Sequence, residues 1–423
     1  MKRAFAFSLV VVLLASGVTA TPQRKKRPPK PAAVKTATEK PSPFFDAERL
    51  VRLSERMKSF VDRGRAAGIV TLLAHRGKPV QSLAFGVQDL ESKKPMTPDT
   101  IFQIASMTKP ITCVGVMMLA EDGLLAISDP VEKFLPGFAT LQIREKGDGD
   151  IEEIRKPARK ITIRDLMTHT SGMSGGYPEG FTDLFSKRDH TLAEAVEAFP
   201  TRFLDFEPGT KWGYSNMGIA TLGRIIEVVS GKRYEQFLEE RLFKPLGMHD
   251  SHFFVPEAKR DRIAAIYRLD NDKLVKADVD LFRSSAKYPA PEAGLYSTAP
   301  DLFRFYQMML NGGVLDGKRI LSKLSVELMT ANHTGELKAG FSPGIGFGLG
   351  WAVVRNTEGT FRLSSIGTYG HGGLWKTYGW VDPKKELVGV ILLQRLSSDG
   401  DLADEFNAFM TMAAAAMIEG KRE

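Results

Sequence analysis

Hydrophobic positions recur along this chain with two different periods. Leu50, Leu53, Met57, Phe60 and Val61 repeat every three or four residues, which predicts an amphipathic helix over 46–66. Two runs of strand-forming residues follow, 69–75 and 79–85, and Arg76-Gly77-Lys78 between them predicts a hairpin with a short glycine-containing loop. Residues 111–120 are apolar on almost every side, with Thr112 the polar exception before Asp122-Gly123 ends the run, so this helix should be buried and central.

The middle of the chain is rich in loops and helices. Residues 161–170 lead into Ser171-Gly172-Met173-Ser174-Gly175-Gly176, a helix is predicted over 217–230 with Gly231 closing it, and another over 299–310 stops at Asn311-Gly312-Gly313. Strand character then returns at 348–354, 371–381 and 386–394, the last two arranged around Asp382-Pro383-Lys384-Lys385, and 399–418 reads as a terminal helix. Strands at both ends around a helical middle predict an α+β fold, one sheet assembled from residues 44–125 and 291–423, with an inserted, mostly helical subdomain over 126–290. A cleft between the two is the natural place for a site.

Charge changes this picture only at the N-terminus. Met1-Lys2-Arg3, an apolar stretch from Ala4 to Leu14 and the small-residue ending Val18-Thr19-Ala20 have the layout of a secretory signal peptide, with cleavage expected after Ala20 and a secreted or periplasmic location. Residues 21–43 carry seven basic residues, one acidic residue and six prolines, which predicts an extended disordered linker. The first 20 residues contribute two positive charges and the linker a net six, so the formal +8 leaves residues 44–423 neutral overall. The basic pI of about 9.3 therefore describes the arm, a solvated spacer with cell-wall contact as the alternative, and gives no support for nucleic-acid binding. Cys113 is the single cysteine and lies in the apolar helix, which rules out an intramolecular disulfide and a cysteine-rich metal site; no cofactor or metal is expected.

The candidate chemistry starts at Ser106-Met107-Thr108-Lys109, directly before the apolar helix. A spacing of three puts both side chains on one face of a first helical turn. A serine hydroxyl becomes a nucleophile when a neighbouring base takes its proton, and a lysine serves as that base when burial lowers its pKa. A helix cap is the alternative reading of Ser106. The pattern recurs as Ser284-Ser285-Ala286-Lys287, but Tyr288-Pro289-Ala290-Pro291 follows it and breaks a helix, so that copy reads as a loop.

Further along, Tyr214-Ser215-Asn216 is the only Tyr-x-Asn in the chain. A phenol beside a lysine ammonium has its ionised form favoured and so accepts protons, and an asparagine amide offers donors and an acceptor to an acyl side chain. Gly370-His371-Gly372-Gly373-Leu374 opens a strand whose glycines permit close approach of another backbone or a ligand. A backbone N–H there, paired with that of Ser106, would form an oxyanion hole. His333-Thr334-Gly335 ranks below it as a rival. Gly172-Met173-Ser174-Gly175-Gly176 matches a nucleophile elbow, but that motif needs a strand before the serine and a helix after it, and neither is predicted here. His169 reads as a structural histidine.

Taken in order, Ser106-x-x-Lys109, Tyr214-x-Asn216 and His371-Gly372-Gly373 resemble the three motifs of the serine β-lactamase and penicillin-binding-protein superfamily, and are most similar to the branch of class C β-lactamases, D-alanyl-D-alanine carboxypeptidases, D-amino-acid peptidases and β-lactamase-like esterases. The stretches 100–105, 166–172 and 294–299 are similar to the same branch, and the likeness spans about 46–418. The resemblance implies a β-lactamase/transpeptidase-like fold with an antiparallel sheet flanked by helices. It implies Ser106 as nucleophile, Lys109 and Tyr214 as the proton-transfer pair, and Asn216, His371, Gly372 and Gly373 as substrate contacts. The backbone N–H groups of Ser106 and Leu374 would form the oxyanion hole.

The third motif departs from the pattern. Many β-lactamases carry Lys-Thr-Gly there, where the ammonium helps bind a substrate carboxylate; His371, only partly charged near neutral pH, should anchor anions less well. The expected activity is an exported serine hydrolase acting through an acyl-enzyme on an ester, β-lactam or D-amino-acid peptide. A non-catalytic penicillin- or peptidoglycan-binding protein of the same fold is the alternative.

Overall fold

The computed structural model describes residues 42–146, 152–173, 175–277, 286–358, 363–396 and 404–418. The leader and most of the linker, Ser174, Ser284 and Ser285 lie outside the described residues.

Helix α1 (Ala47–Asp62) starts where the Asp46 side chain caps the N–H of Arg49, and buries Leu53, Met57 and Phe60 along one face. It leads into β1 (Gly68–His75) and β2 (Lys78–Gly86), the expected hairpin. After α2 (Thr108–Glu121), the middle of the chain supplies α3 (Ile163–Thr168) and α4 (Asn216–Ser230) together with short helices and two small hairpins. The chain then forms α5 (Ala299–Leu310), β3 (Ile345–Phe347), β4 (Ala352–Val354), β5 (Tyr369–Gly372), β6 (Tyr378–Asp382), β7 (Leu387–Leu392) and α6 (Asp404–Ala416).

One seven-stranded antiparallel sheet runs in the order β3-β4-β5-β6-β7-β1-β2, so the N-terminal hairpin adds its β1 to the last C-terminal strand, with Val70 opposite Leu392 and His75 opposite Leu387. Every residue of β1 is buried, because helices cover both faces of the sheet. Ile69 and Leu73 point into one layer with Phe60, Phe409 and Met410 of α1 and α6, and Val70, Leu72 and Ala74 point into the other with α2 and α5. α2 also packs on α4, and Thr108 to Leu119 are all buried.

Two strand expectations are corrected. The run 348–354 is broken: Gly348 to Trp351 form no strand, because Gly350 sits at φ +86° and its N–H bonds the carbonyl of Met167 instead of a sheet neighbour. The run 371–381 is two strands rather than one. It turns back on itself at 373–377, where the Gly373 N–H bonds the Thr377 carbonyl at 2.7 Å. An alternating apolar pattern shows where a strand can form, but it does not show where the chain reverses.

Candidate active site

Ser106 sits in a 3₁₀ turn, Ala105–Met107, that runs directly into α2. Ala105 has φ +47°, an unusual conformation for a residue with a Cβ, at a cost of about 1–3 kcal/mol. The tight turn is held by the Thr108 hydroxyl, which donates to the Ala105 carbonyl at 2.7 Å and accepts from the Leu295 N–H at 3.2 Å. Ser106 is half-buried and Lys109 is fully buried. The Lys109 Nζ lies 3.1 Å from the Ser106 Oγ and donates to the Glu292 carbonyl at 2.8 Å. Burial lowers the Lys109 amine to about 7, against smaller opposing effects from the Glu292 carboxyl and the Cys113 thiol. A half-neutral amine in contact with a serine hydroxyl has the geometry of a nucleophile and its base.

Tyr214 completes the group. Its ring lies under the Lys109 Nζ at 4.6 Å from the centroid, and its phenol is hydrogen-bonded to Ser106. The expectation that the ammonium would favour the phenolate is corrected: burial pushes the phenol up, and the hydrogen bond to Ser106 offsets this only in part. At neutral pH the phenol keeps its proton and the lysine is the base at hand. The segment is fixed by His169, whose carbonyl accepts from the Gly213 N–H at 2.9 Å and whose Nδ1 accepts from the Ser215 N–H at 3.1 Å. The His169 ring packs on Tyr214 at 4.6 Å between centroids, and burial lowers its pKa well below the usual histidine range. Ser215 in turn caps α4 through the Gly218 N–H.

The third motif lies on β5 and the turn after it. His371 is buried; its Nδ1–H donates to the Gly372 carbonyl at 2.7 Å, which leaves Nε2 unprotonated, and Nε2 has no hydrogen-bond partner among the described residues. Burial first, then the charge of Lys109, lowers this imidazole to about 3. The expected partial charge is therefore corrected to none at neutral pH. Gly373 permits the docking of this turn, since a Cβ there would lie 2.2 Å from the Thr377 Oγ1 and 2.3 Å from the Ile104 carbonyl oxygen. The Thr377 hydroxyl donates to that same carbonyl at 3.0 Å, and the Trp375 indole N–H donates to Gln103 Oε1 at 2.7 Å. The turn carrying Leu374 is thus tied to the two residues that precede Ala105-Ser106. From behind, buried Lys376 pairs at 3.5 Å with Glu405 of α6, and Glu405 accepts from the Arg395 guanidinium at 2.7 Å.

Ser106, Tyr214, His371, Gly372, Gly373 and Leu374 all line one cavity of about 360 Å³. Its remaining wall is largely apolar, with Phe341, Ile345, Phe347 and Val354 on one side and Tyr378, Phe406 and Met410 on the other. Asn216 is exposed on the first turn of α4, two residues after the cavity-lining Tyr214. His333 is not a lining residue; its ring bonds the Leu328 carbonyl and accepts from Arg164. Sequence reasoning passed over Glu292, Lys376, Glu405 and the Phe406/Met410 pair. An acidic residue inside the otherwise apolar Tyr288–Leu295 stretch was the available signal for Glu292; nothing local marked the others.

Comparison with known proteins adds the lineage. The family model described as Beta-lactamase matches residues 53–409. The chain is 34% identical to penicillin-binding protein 4 of Amycolatopsis lactamdurans over 70% of this chain and 71% of that protein. It is 27% identical to esterase EstB of Burkholderia gladioli over 82% of this chain and 92% of that protein. Among solved structures, EstCE1, described as a hydrolase with promiscuous acyltransferase activity, superposes with a TM-score of 0.73 at 24% identity, covering 87% of this chain and 99% of that one, a likeness of fold.

Proposed function

The chain belongs to the Beta-lactamase family, within the serine β-lactamase and penicillin-binding-protein superfamily, and from that premise we propose that it is a serine ester hydrolase working through a Ser106 acyl-enzyme. The observation that carries the reading is the contact of a buried amine lowered to about 7 with the Ser106 hydroxyl, at the mouth of a largely apolar cavity.

In the first step the Ser106 Oγ attacks the ester carbonyl carbon while its proton passes to the Lys109 Nζ. The carbonyl oxygen becomes an oxyanion held by the backbone N–H groups of Ser106 and Leu374, each donor contributing about 2.7–4 kcal/mol to the transition state. Collapse of the tetrahedral species breaks the bond to the alcohol oxygen, which takes a proton from the Lys109–Tyr214 pair and leaves. Water then attacks the acyl-enzyme carbonyl and gives its proton to the same pair; collapse breaks the Ser106 Oγ–acyl bond, and Oγ takes that proton back as the acid leaves.

Esters are favoured over anionic β-lactams and peptides by the chemistry of the cavity. His371 is neutral where a cation would meet a carboxylate, and the Lys376 ammonium in the wall already faces Glu405. An uncharged acyl group suits Phe341, Phe347, Phe406 and Met410. Export is part of the proposal through residues 1–20, and N-terminal sequencing of the mature protein tests it.

Intact-protein mass spectrometry after incubation with a p-nitrophenyl ester, a β-lactam and a D-alanyl-D-alanine peptide checks the reading. We expect turnover of the ester and its complete loss in Ser106→Ala. An active Ser106→Ala would overturn the assignment. A stable adduct on Ser106 without release would instead identify a binding protein.

A further inference from the structure

The Tyr177, Tyr288 and Glu292 side chains form a buried cluster directly behind Lys109, and the reaction described above does not use it. Glu292 meets Lys109 through its main chain, the carbonyl accepting from Nζ at 2.8 Å. Its carboxyl is 1% exposed and accepts from the Tyr177 phenol at 2.7 Å and from the Tyr288 phenol at 3.2 and 3.1 Å on its two oxygens. Between them the two phenols can donate to both carboxyl oxygens, an arrangement that suits an ionised group. A carboxylate this deeply buried persists only if something nearby rewards its charge.

We infer that Glu292 is the third member of a Ser106–Lys109–Glu292 relay, a positioning residue whose carbonyl orients the amine and whose carboxylate stabilises the ammonium formed when Lys109 takes the serine proton. The inference rests on the hydrolase reading. In the attack step the Ser106 O–H bond breaks and a Lys109 N–H bond forms; Glu292 exchanges no proton and lowers the energy of the cation by proximity, as the buried acid does for a histidine base in a serine triad. The groups around Lys109 leave this role to Glu292. Cys113 on the same helix is held neutral by burial, and Tyr214, Tyr234, Tyr177 and Tyr288 are all pushed up, so they stay protonated. His169 and His371 are neutral bases whose protonation would only repel the ammonium. Burial raises the Glu292 carboxyl above the usual carboxylate range, and the Tyr177 phenol, Lys109 and the Tyr288 phenol offset this only in part. Among the described residues Glu292 is the carboxyl that acts on Lys109, with a larger effect than the Cys113 thiol, and it favours the ammonium.

The test is the rate at which a fluorophosphonate labels Ser106 as a function of pH, in the full chain, for the wild type, Glu292→Gln and Glu292→Asp. Glu292→Gln keeps the main-chain carbonyl and removes the charge. Its acid limb should move down by about one pH unit, because the ammonium loses its counter-charge, and its plateau rate should fall about tenfold. Glu292→Asp keeps the charge and should retain the wild-type limb. A purely structural residue would lower the melting temperature and leave the limb in place, and an unmoved or raised limb in Glu292→Gln overturns the inference. If Glu292→Gln does not fold, the ¹³C carboxyl resonance of Glu292 in the labelled wild type decides: an ionised carboxylate across the labelling range supports the relay and a protonated acid refutes it. A wild type that fluorophosphonate does not label sinks the hydrolase reading itself, an outcome distinct from a labelled wild type whose limb the variant leaves unchanged.

Discussion

Two lysines are buried near the site, and they are set up in opposite ways. Lys109 meets the Ser106 hydroxyl, a carbonyl and the face of a phenol ring, and no carboxylate lies within ion-pair distance among its described contacts. Lys376 faces Glu405, and the same carboxylate also takes the Arg395 guanidinium. A buried ammonium in contact with a carboxylate acts as a structural tie. A buried amine offered only neutral groups at contact distance, with its carboxylate one shell further away, is free to give up its proton and take another. On the proposed reading the same residue type serves as base beside Ser106 and as anchor for the turn that carries Leu374.

The largest expected effect comes from removing the base. Lys109→Met should lower ester turnover by about 10²–10⁴-fold, because the base is removed while an apolar side chain of similar length fills its place. Steady-state kinetics checks this, and turnover close to that of the wild type would erase the contrast between the lysines. Next comes the anchor: Glu405→Ala removes the carboxylate that two buried cations share and should cost about 3–5 kcal/mol in a urea titration. Loosening of the 373–377 turn should then lower kcat more than it raises KM. The smallest effect is read in the wild type alone. Because the lysine must be neutral to accept the serine proton, kcat/KM should fall about tenfold for each pH unit below about 7 and level off above it. A limb near the ordinary lysine range, above pH 10, would mean that burial does not make Lys109 a base.

The spacing of Ser106 and Lys109 ahead of an apolar run was enough to place both on one turn, because helical geometry is local, and their 3.1 Å contact follows from it. The helix 299–310 and the hairpin 69–85 were legible for the same reason. The turn at 373–377 was missed because the contacts that hold it, Thr377 to Ile104 and Trp375 to Gln103, join residues more than 270 positions apart.

What the sequence determined by itself was the set of chemical groups, their order and the local geometry of each, together with the membership that the ordered motifs imply. Tertiary structure alone decided their electrostatic state. Whether His371 carries charge, whether Tyr214 keeps its proton and which lysine is the base depend on desolvation and on neighbours such as Glu292 and Glu405, which arrive from distant parts of the chain. A pKa is a property of an environment, and this environment exists only once β5, α2 and α6 have packed together.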